Sequence, residues 1–430
     1  MGEGIAGELA RAGISYPRWL TGVLKRAVLR KLVSLRAGAL TLVDEQGAVH
    51  RFGDPAGELR ATLTVRDPSF YGALGLGGSV GAGESYFRGA WDTDGLVDLV
   101  RLMARNSDVL SQLDGGFARL GRLLYNAFHW RHANTVAGSR ANILAHYDLG
   151  NDFFELMLDD SMMYSSAIYA DEAMALPAAQ AHKLKIICEK LRLDSSHHLL
   201  EIGTGWGGLA CFAAKETGCR VTTTTISDAQ FSYAKARVRA AGLEDRVTVL
   251  KQDYRVLTGR FDRIVSIEMI EAVGDQFFTT YFRKLDSLLA EDGLLLIQGI
   301  TIADQRYERY RRSVDFIKRF VFPGGCLPSL TAITQCMTQV TSLRLRHLDD
   351  IGEHYARTLR DWRERFEAAA DVLRARGYDT PFLRLWRFYL AYCEGGFRER
   401  TIGDLQLLFE KPDSRALAPI YGVKGDFRPC

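Results

Sequence analysis

The chain has 430 residues, 47% of them hydrophobic and 25% charged, with a net charge of +3. That length is long for one hydrophobic core and favours two domains, and so small a net charge gives no argument for nucleic acid as a partner. The seven cysteines (Cys188, Cys211, Cys219, Cys326, Cys336, Cys393 and Cys430) are scattered, with no CxxC pair and no histidine at metal-ligand spacing. They read as reduced thiols of a cytoplasmic protein, with no metal centre.

Met1 to Tyr16 has no apolar core behind a basic start, so it does not read as a signal peptide. No apolar run is long enough to cross a bilayer. From Pro17 to Arg36, Trp19, Leu20, Val23, Leu24, Val28, Leu32 and Leu35 fall at helical spacing, with Arg18, Lys25, Arg26, Arg30, Lys31 and Arg36 mostly in the gaps. This helix either lies on an anionic membrane surface or is an amphipathic helix packed on a core with a solvated basic face. From Ala39 to Val65 short alternating runs predict strands, with a turn at Glu45-Gln46-Gly47. A glycine-rich stretch, Gly72 to Gly83, precedes a helical stretch through Ala104. Residues 1–125 read as a small α+β domain and 126–141, polar and basic, as a linker.

From His198 apolar strands alternate with amphipathic helices: HLLEI, WGGLACFAAKETG, CRVTTTTIS, DAQFSYAKARVRAAGL, RVTVLKQD, FDRIVSIEMI, YFRKLDSLLAEDG and LLLIQGIT. That rhythm predicts an α/β domain, 142–430, with a doubly wound, mostly parallel sheet. The first strand runs into Glu201-Ile202-Gly203-Thr204-Gly205-Trp206-Gly207, and the chain then opens a helix. Glycines there let the backbone turn sharply and a ligand approach closely, although such a turn serves dinucleotides as well. The neighbours separate the two. The second strand ends Thr225-Ile226-Ser227 with Gln230 beyond it, where a dinucleotide site usually carries Asp or Glu. The third closes on Gln252-Asp253-Tyr254, an amide, a carboxylate and an aromatic of the kind that hold an adenine.

The stretches HYDLGNDFFELMLDD, MMYSSAIY, LLEIGTGWGG, TTISDAQ, QDYRVL, FDRIVSIEMIEAVG, FIKRFVFPGGCLPS, HYARTL and CEGGFRER, running from Asn142 to Phe409, resemble the cyclopropane fatty acid synthases and their mycolic-acid methyltransferase relatives. The resemblance implies S-adenosylmethionine as cofactor, held by Tyr164, Ser165, Gly203, Thr225 and Gln230, with Glu201, Gly205, Ser227 and Gln252–Tyr254 completing the site. It also makes the N-terminal domain a lipid-handling one, as in phospholipid-acting members.

Methyl transfer to an alkene leaves a carbocation on the acyl chain, and a base must then remove one proton. Which proton leaves decides between a ring and a branch. In the cyclopropane-forming members the resemblance implies a bound bicarbonate as base, held by a Cys, a Glu, a His, a backbone group and a Tyr. Here the Glu matches Glu271, the Tyr matches Tyr355 and the backbone position matches Ile300. The Cys is replaced by Ser166 and the His by Gln298, while the position that usually holds Gly is Glu268 and the His that commonly follows the Glu is Ala272. If the turn after the strand is helical, Glu268 and Glu271 face one side, and paired carboxylates raise one pKa. Glu268 then takes the place of bicarbonate, which its presence argues against; alternatively it is a solvent-facing acid at a helix start. Phe316, Phe320, Phe322, Tyr389 and Tyr392 either line an acyl tunnel or are plain core. His146 reads as structural.

The sequence therefore predicts a methyltransferase that modifies the double bond of unsaturated acyl chains in phospholipid, peripheral on the inner face of the cytoplasmic membrane, with a homodimer left open. Ser166, Glu268 and Gln298 favour a methyl- or methylene-branched product over a cyclopropane. The rival readings are an amine N-methyltransferase and a non-catalytic lipid- or cofactor-binding protein.

Overall fold

Two sheets and the helix between them position everything that follows. The structure, a computed structural model, describes residues 17–107 and 150–415. The domain boundary expected at 125, the linker at 126–141 and His146 lie outside those residues.

The first sheet has the order β2-β1-β3-β4, with β1 (Ala39–Val43), β2 (Val49–Gly53), β3 (Arg60–Val65) and β4 (Trp91–Thr93). β1 runs antiparallel to β2 and parallel to β3. The turn expected between β1 and β2 is closed by Gly47 N–H donating to the Asp44 carbonyl at 2.9 Å, with Gly47 at φ +84°. Helix α1 (Arg18–Leu32) lies against this unit and buries Leu24, Val28 and Leu32. Packing thus accounts for one face of it. Lys25 is tied to Asp44 at 2.9 Å and Glu45 at 2.8 Å, whereas Trp19 and Val33 are each 71% exposed beside exposed Arg26 and Arg30. The glycine-rich stretch lies inside helix α2 (Ser69–Phe87) rather than ahead of a helix, and the helix breaks at Gly78, at φ +53°. Glycine tolerates that backbone and a side chain does not, so the run kinks instead of ending. β4 then interrupts the stretch before α3 (Leu96–Arg105).

The second sheet has the order β10-β11-β9-β8-β5-β6-β7. Its parallel strands are β5 (His198–Ile202), β6 (Arg220–Thr225), β7 (Val247–Lys251), β8 (Phe261–Ile267) and β9 (Leu289–Ile302). β10 (Arg344–Asp350) and β11 (Ile402–Glu410) complete it antiparallel. β5 and β6 are almost wholly buried, as central parallel strands covered on both faces must be. The covering helices include α4 (Leu176–Leu191), α5 (Gly208–Thr217), α6 (Asp228–Ala240) and α7 (Phe278–Leu288). This is the expected doubly wound, mostly parallel sheet with an N-terminal α+β unit.

Beyond β9 come α8 (Asp304–Tyr310), α9 (Gly352–Ala368) and α10 (Thr380–Arg398). α10 joins the two units. Arg384 donates to the Tyr86 carbonyl at 2.7 Å, the Trp91 carbonyl at 2.8 Å and Asp92 at 2.8 Å. Arg101 and Arg105 of α3 reach Glu399 at 2.8 and 2.6 Å. Tyr86, Trp91, Phe316 and Phe388 pack as one aromatic cluster across the junction, so a single hydrophobic core runs from the first sheet to α9 and α10.

Candidate active site

A cavity of about 1450 Å³ opens at the carboxyl ends of β5 to β8 and extends into the N-terminal unit, where Leu40, Leu42, Leu63 and Phe70 line it. The carboxyl edge of an open α/β sheet is where ligands bind. Tyr164, Ser165, Glu201, Gly203, Gly205, Thr225, Gln230, Gln252, Asp253, Tyr254, Glu268, Glu271 and Tyr355 all border this one cavity. Ser166, Ser227 and Gln298 do not.

The glycine turn after β5 holds Gly203 at φ +100° and Gly205 at φ +52°. A Cβ on Gly205 would meet no protein atom within 4 Å, so the backbone there is exposed to whatever fills the cavity. Glu201 is buried, and burial raises its carboxyl to about 8; its Oε2 has no protein partner. A buried acceptor left open beside a bare glycine turn fits a ligand that is cationic or rich in donors. At the end of β6, Thr225 Oγ1 donates to Gln230 Oε1 at 2.9 Å. Ser227 serves the next helix instead of the cavity, since its hydroxyl caps α6 by accepting from Gln230 N–H at 3.3 Å. Asp253 borders the cavity, but its carboxylate is held by Arg255 at 2.9 and 2.7 Å. Tyr254, raised to about 12 by burial, packs edge-on against Tyr281.

The second cluster sits where β8 ends. Glu268 has φ +46°, left-handed backbone that side-chain-bearing residues rarely adopt. The turn is therefore not helical at Glu268; a short 3₁₀ turn, Ile270–Ala272, begins only beyond it. Nor is Glu268 a solvent-facing acid. Its Oε1 accepts from Ser166 N–H at 2.8 Å and from Gln298 Nε2 at 2.8 Å, and its Oε2 accepts from Tyr355 Oη at 2.7 Å. Glu268 N–H donates to the Gln298 carbonyl at 2.7 Å, fixing the strained residue from both ends. Ser166 thus acts through its backbone, since its hydroxyl donates to the Ala167 carbonyl at 2.9 Å. Gln298 is fully buried behind Glu268 rather than facing the cavity.

Glu271 Oε1 accepts from Ile300 N–H, and its Oε2 is buried with no protein partner. Burial first, and the Glu268 charge second, push Glu271 up to about 8. Two groups that the sequence had not singled out complete the cluster. Lys183 of α4 is fully buried and donates to Ser165 Oγ at 2.7 Å; burial lowers it to about 8 while Glu268, Asp159 and Asp404 oppose that. Asp404 of β11 is fully buried next to Gln298. Of the aromatics, Phe322, Tyr389 and Tyr392 border the cavity, joined by Phe388. Phe316 packs instead among Phe320, Phe388 and Tyr392.

The model of the family described as "Mycolic acid cyclopropane synthetase" matches residues 135–407. The chain is 36% identical to the tuberculostearic acid methyltransferase UfaA1 of Mycobacterium tuberculosis, over 89% of this chain and 90% of that protein. It is 38% identical to the cyclopropane-fatty-acyl-phospholipid synthase of Escherichia coli, over 83% of this chain and 89% of that one. Among solved structures, the mycolic acid cyclopropane synthase CmaA1 complexed with SAH and CTAB superposes with a TM-score of 0.59 at 29% identity, covering 63% of this chain and 98% of that chain. This chain belongs to the mycolic acid cyclopropane synthetase family and is an S-adenosylmethionine-dependent methyltransferase.

Proposed function

We propose that this enzyme methylates the double bond of unsaturated acyl chains in membrane phospholipid, and that Glu268 is its base in place of bicarbonate. The observation that carries the base assignment is the set of donors on Glu268: the Ser166 N–H, the Gln298 amide and the Tyr355 hydroxyl. Ser166, Gln298 and Tyr355 stand where the family pattern places groups that hold the anion. A carboxylate fixed by them leaves that anion no separate seat. The left-handed backbone at Glu268 supports the same reading. Glycine would adopt it freely, whereas a glutamate costs of order 1–3 kcal/mol there, strain of the kind that functional sites retain.

S-adenosylmethionine supplies an electrophilic sulfonium methyl. Tyr164, Ser165, Glu201, Gly203, Gly205, Thr225, Gln230 and Gln252–Tyr254, which border the cavity, would hold it, with Ser227 setting the α6 start behind Gln230. The acyl chain occupies the apolar arm of the cavity that reaches Leu40, Leu42 and Leu63, and Phe322, Tyr389 and Tyr392 offer ring faces to the cation. Glu271, its buried carboxyl held up at about 8, leaves an unpartnered oxygen nearby. A base fixed at Glu268 favours a methyl- or methylene-branched product. The relatives named for tuberculostearic acid and for fatty-acyl phospholipid support the lipid class. Among the described residues no helix is long and apolar enough to cross a membrane. We place the enzyme on the inner face of the cytoplasmic membrane, with Trp19, Val33, Arg26 and Arg30 of the α1 region toward an anionic surface. A deep apolar arm suits an acyl chain better than the small amine of an N-methyltransferase. Mass spectrometry of lipids from a host expressing the enzyme tests the reading: a mass gain of one methylene on unsaturated chains supports it, and unaltered lipid sinks it.

A further inference from the structure

β11 carries its one aspartate, Asp404, into the middle of the protein, fully buried. A carboxyl at such a place is costly unless hydrogen-bonded. Its Oδ2 accepts from Gln298 Nε2 at 3.3 Å, and the carboxyl lies within hydrogen-bond reach of Glu268. Its Oδ1 has no other partner. The Gln298 amide cannot turn round to change this. Its Oε1 accepts from Gln406 Nε2 at 2.9 Å, and Gln406 Oε1 in turn accepts from Lys190 Nζ at 2.7 Å. Gln298 Nε2 is therefore forced toward both carboxyls, giving Glu268 Oε1 a donor at 2.8 Å. The contact between Glu268 and Asp404 then joins two acceptors, which is favourable only with a proton between them. The charged and titratable groups facing Asp404 are Glu268, Glu271, Tyr355 and Lys183, and Lys183 spends its nearest hydrogen bond on Ser165 rather than on a carboxyl. One ammonium among three buried carboxyls cannot keep all three ionised.

We propose that Asp404 is a positioning residue of this site, holding a proton against Glu268 so that Glu268 is the ionised acceptor facing the cavity. This rests on the reading of Glu268 as base. In turnover a C–H bond of the substrate cation breaks, its electron pair becomes the π bond of the branched product (or the third ring bond where a cyclopropane closes), and the proton passes to Glu268. The Asp404 proton stays in place and steadies the carboxylate beforehand. The sign of its effect is fixed: a donor favours the ionised form of Glu268, so losing the donor raises that pKa.

The test uses the full-length enzyme with Asp404→Asn, which keeps a donor, and Asp404→Leu, which does not. Infrared difference spectra should contain a protonated-carboxyl C=O band that Asp404→Asn removes and Glu271→Gln leaves. In the pH profile of kcat, Asp404→Asn should leave the acid limb in place. Asp404→Leu should move it upward by about one pH unit, the scale of one hydrogen bond to a charged group, so that kcat falls about tenfold on the acid limb and less above it. KM for S-adenosylmethionine should not change. An acid limb that falls in Asp404→Asn would mean that an ionised neighbour had been removed, and would overturn the proposal. So would an Asp404→Leu profile equal to wild type, or a carboxyl band indifferent to Asp404→Asn. The infrared band can be read whether or not the wild type methylates lipid, so failure of the proposed function is seen separately.

Discussion

Glu268→Gln isolates the charge of the proposed base from its shape. The amide oxygen can still accept from Ser166 N–H and Gln298 Nε2, now at 2.8 Å each. The new NH₂ meets Tyr355 Oη, 2.7 Å from Oε2, and the hydroxyl rotates from donor to acceptor. Exchanging charge-assisted for neutral hydrogen bonds weakens the network by about 1 kcal/mol, and removing a buried charge offsets part of that. The fold and cofactor affinity should therefore be nearly unchanged. Turnover should fall about 10²-fold or more, the usual contribution of a general base. The assay is methylated phospholipid formed on vesicles of unsaturated lipid, read by mass spectrometry in buffer freed of carbon dioxide, with and without added bicarbonate. Wild type should be indifferent to the anion. A Gln variant with full activity, together with a wild type that stops when bicarbonate is removed, would refute Glu268 as base and restore ordinary cyclopropane chemistry.

Combining Glu268→Gly with Ser166→Cys and Gln298→His rebuilds the family's usual pocket, and activity should return only when bicarbonate is supplied in the same vesicle assay. Gly205→Val should abolish S-adenosylmethionine binding by calorimetry while the protein still folds: the left-handed backbone, φ +52°, costs about 1–2 kcal/mol, and no protein atom lies within 4 Å of the new Cβ. Arg26→Gln with Arg30→Gln should weaken binding to anionic vesicles by about 1 kcal/mol per residue and lose that effect in high salt; Lys25 is left out because Asp44 and Glu45 already hold it. Glu271 has its carboxyl raised from 4.5 to about 8 in the fold, so ionising it is penalised and stability falls as pH rises from 4.5 toward 8. Glu271→Gln should therefore melt higher than wild type above pH 8, by ~1.4 kcal/mol for each unit of the shift at most, with the gap closing below pH 4.5.

Much of this was legible in the sequence, for local reasons. The parallel strands announced themselves because a strand covered on both faces must be apolar throughout, as Leu199, Leu200, Ile264 and Val265 are. The glycine turn was legible because it sits between such a strand and a helix. What local pattern could not give was the direction in which a polar group is spent. Ser227 looked like a ligand to the cofactor and caps a helix instead. Asp253 keeps its place on the cavity wall but is engaged by Arg255. The glycine-rich stretch Gly72 to Gly83 read as preceding a helix and is itself part of a kinked one, since burial of Phe70, Tyr71, Tyr86 and Phe87 outweighs its poor helix propensity. Lys183 and Asp404 lie outside the motifs and far from Glu268 in sequence, and only the fold brings α4 and β11 to the end of β8.

A base built into the chain changes what the site can choose. Glu268 is fixed by three donors on its carboxylate and by its own N–H bond to Gln298, so as the proposed base it would not shift when the cation forms. On that proposal, the carbon that loses a proton is set by how the acyl chain lies against one immobile carboxylate. Product identity would then depend on the wall that orients the chain as well as on the fixed base, and Phe322, Tyr389 and Tyr392 and the apolar arm beneath the first sheet border that cavity. That division suits a fold in which α10 ties the two units through Arg384, Arg101 and Arg105. The unit proposed to grip the tail of the substrate is thereby held in register with the proposed base, and a small shift of one against the other would cost far more than the contacts it disturbs.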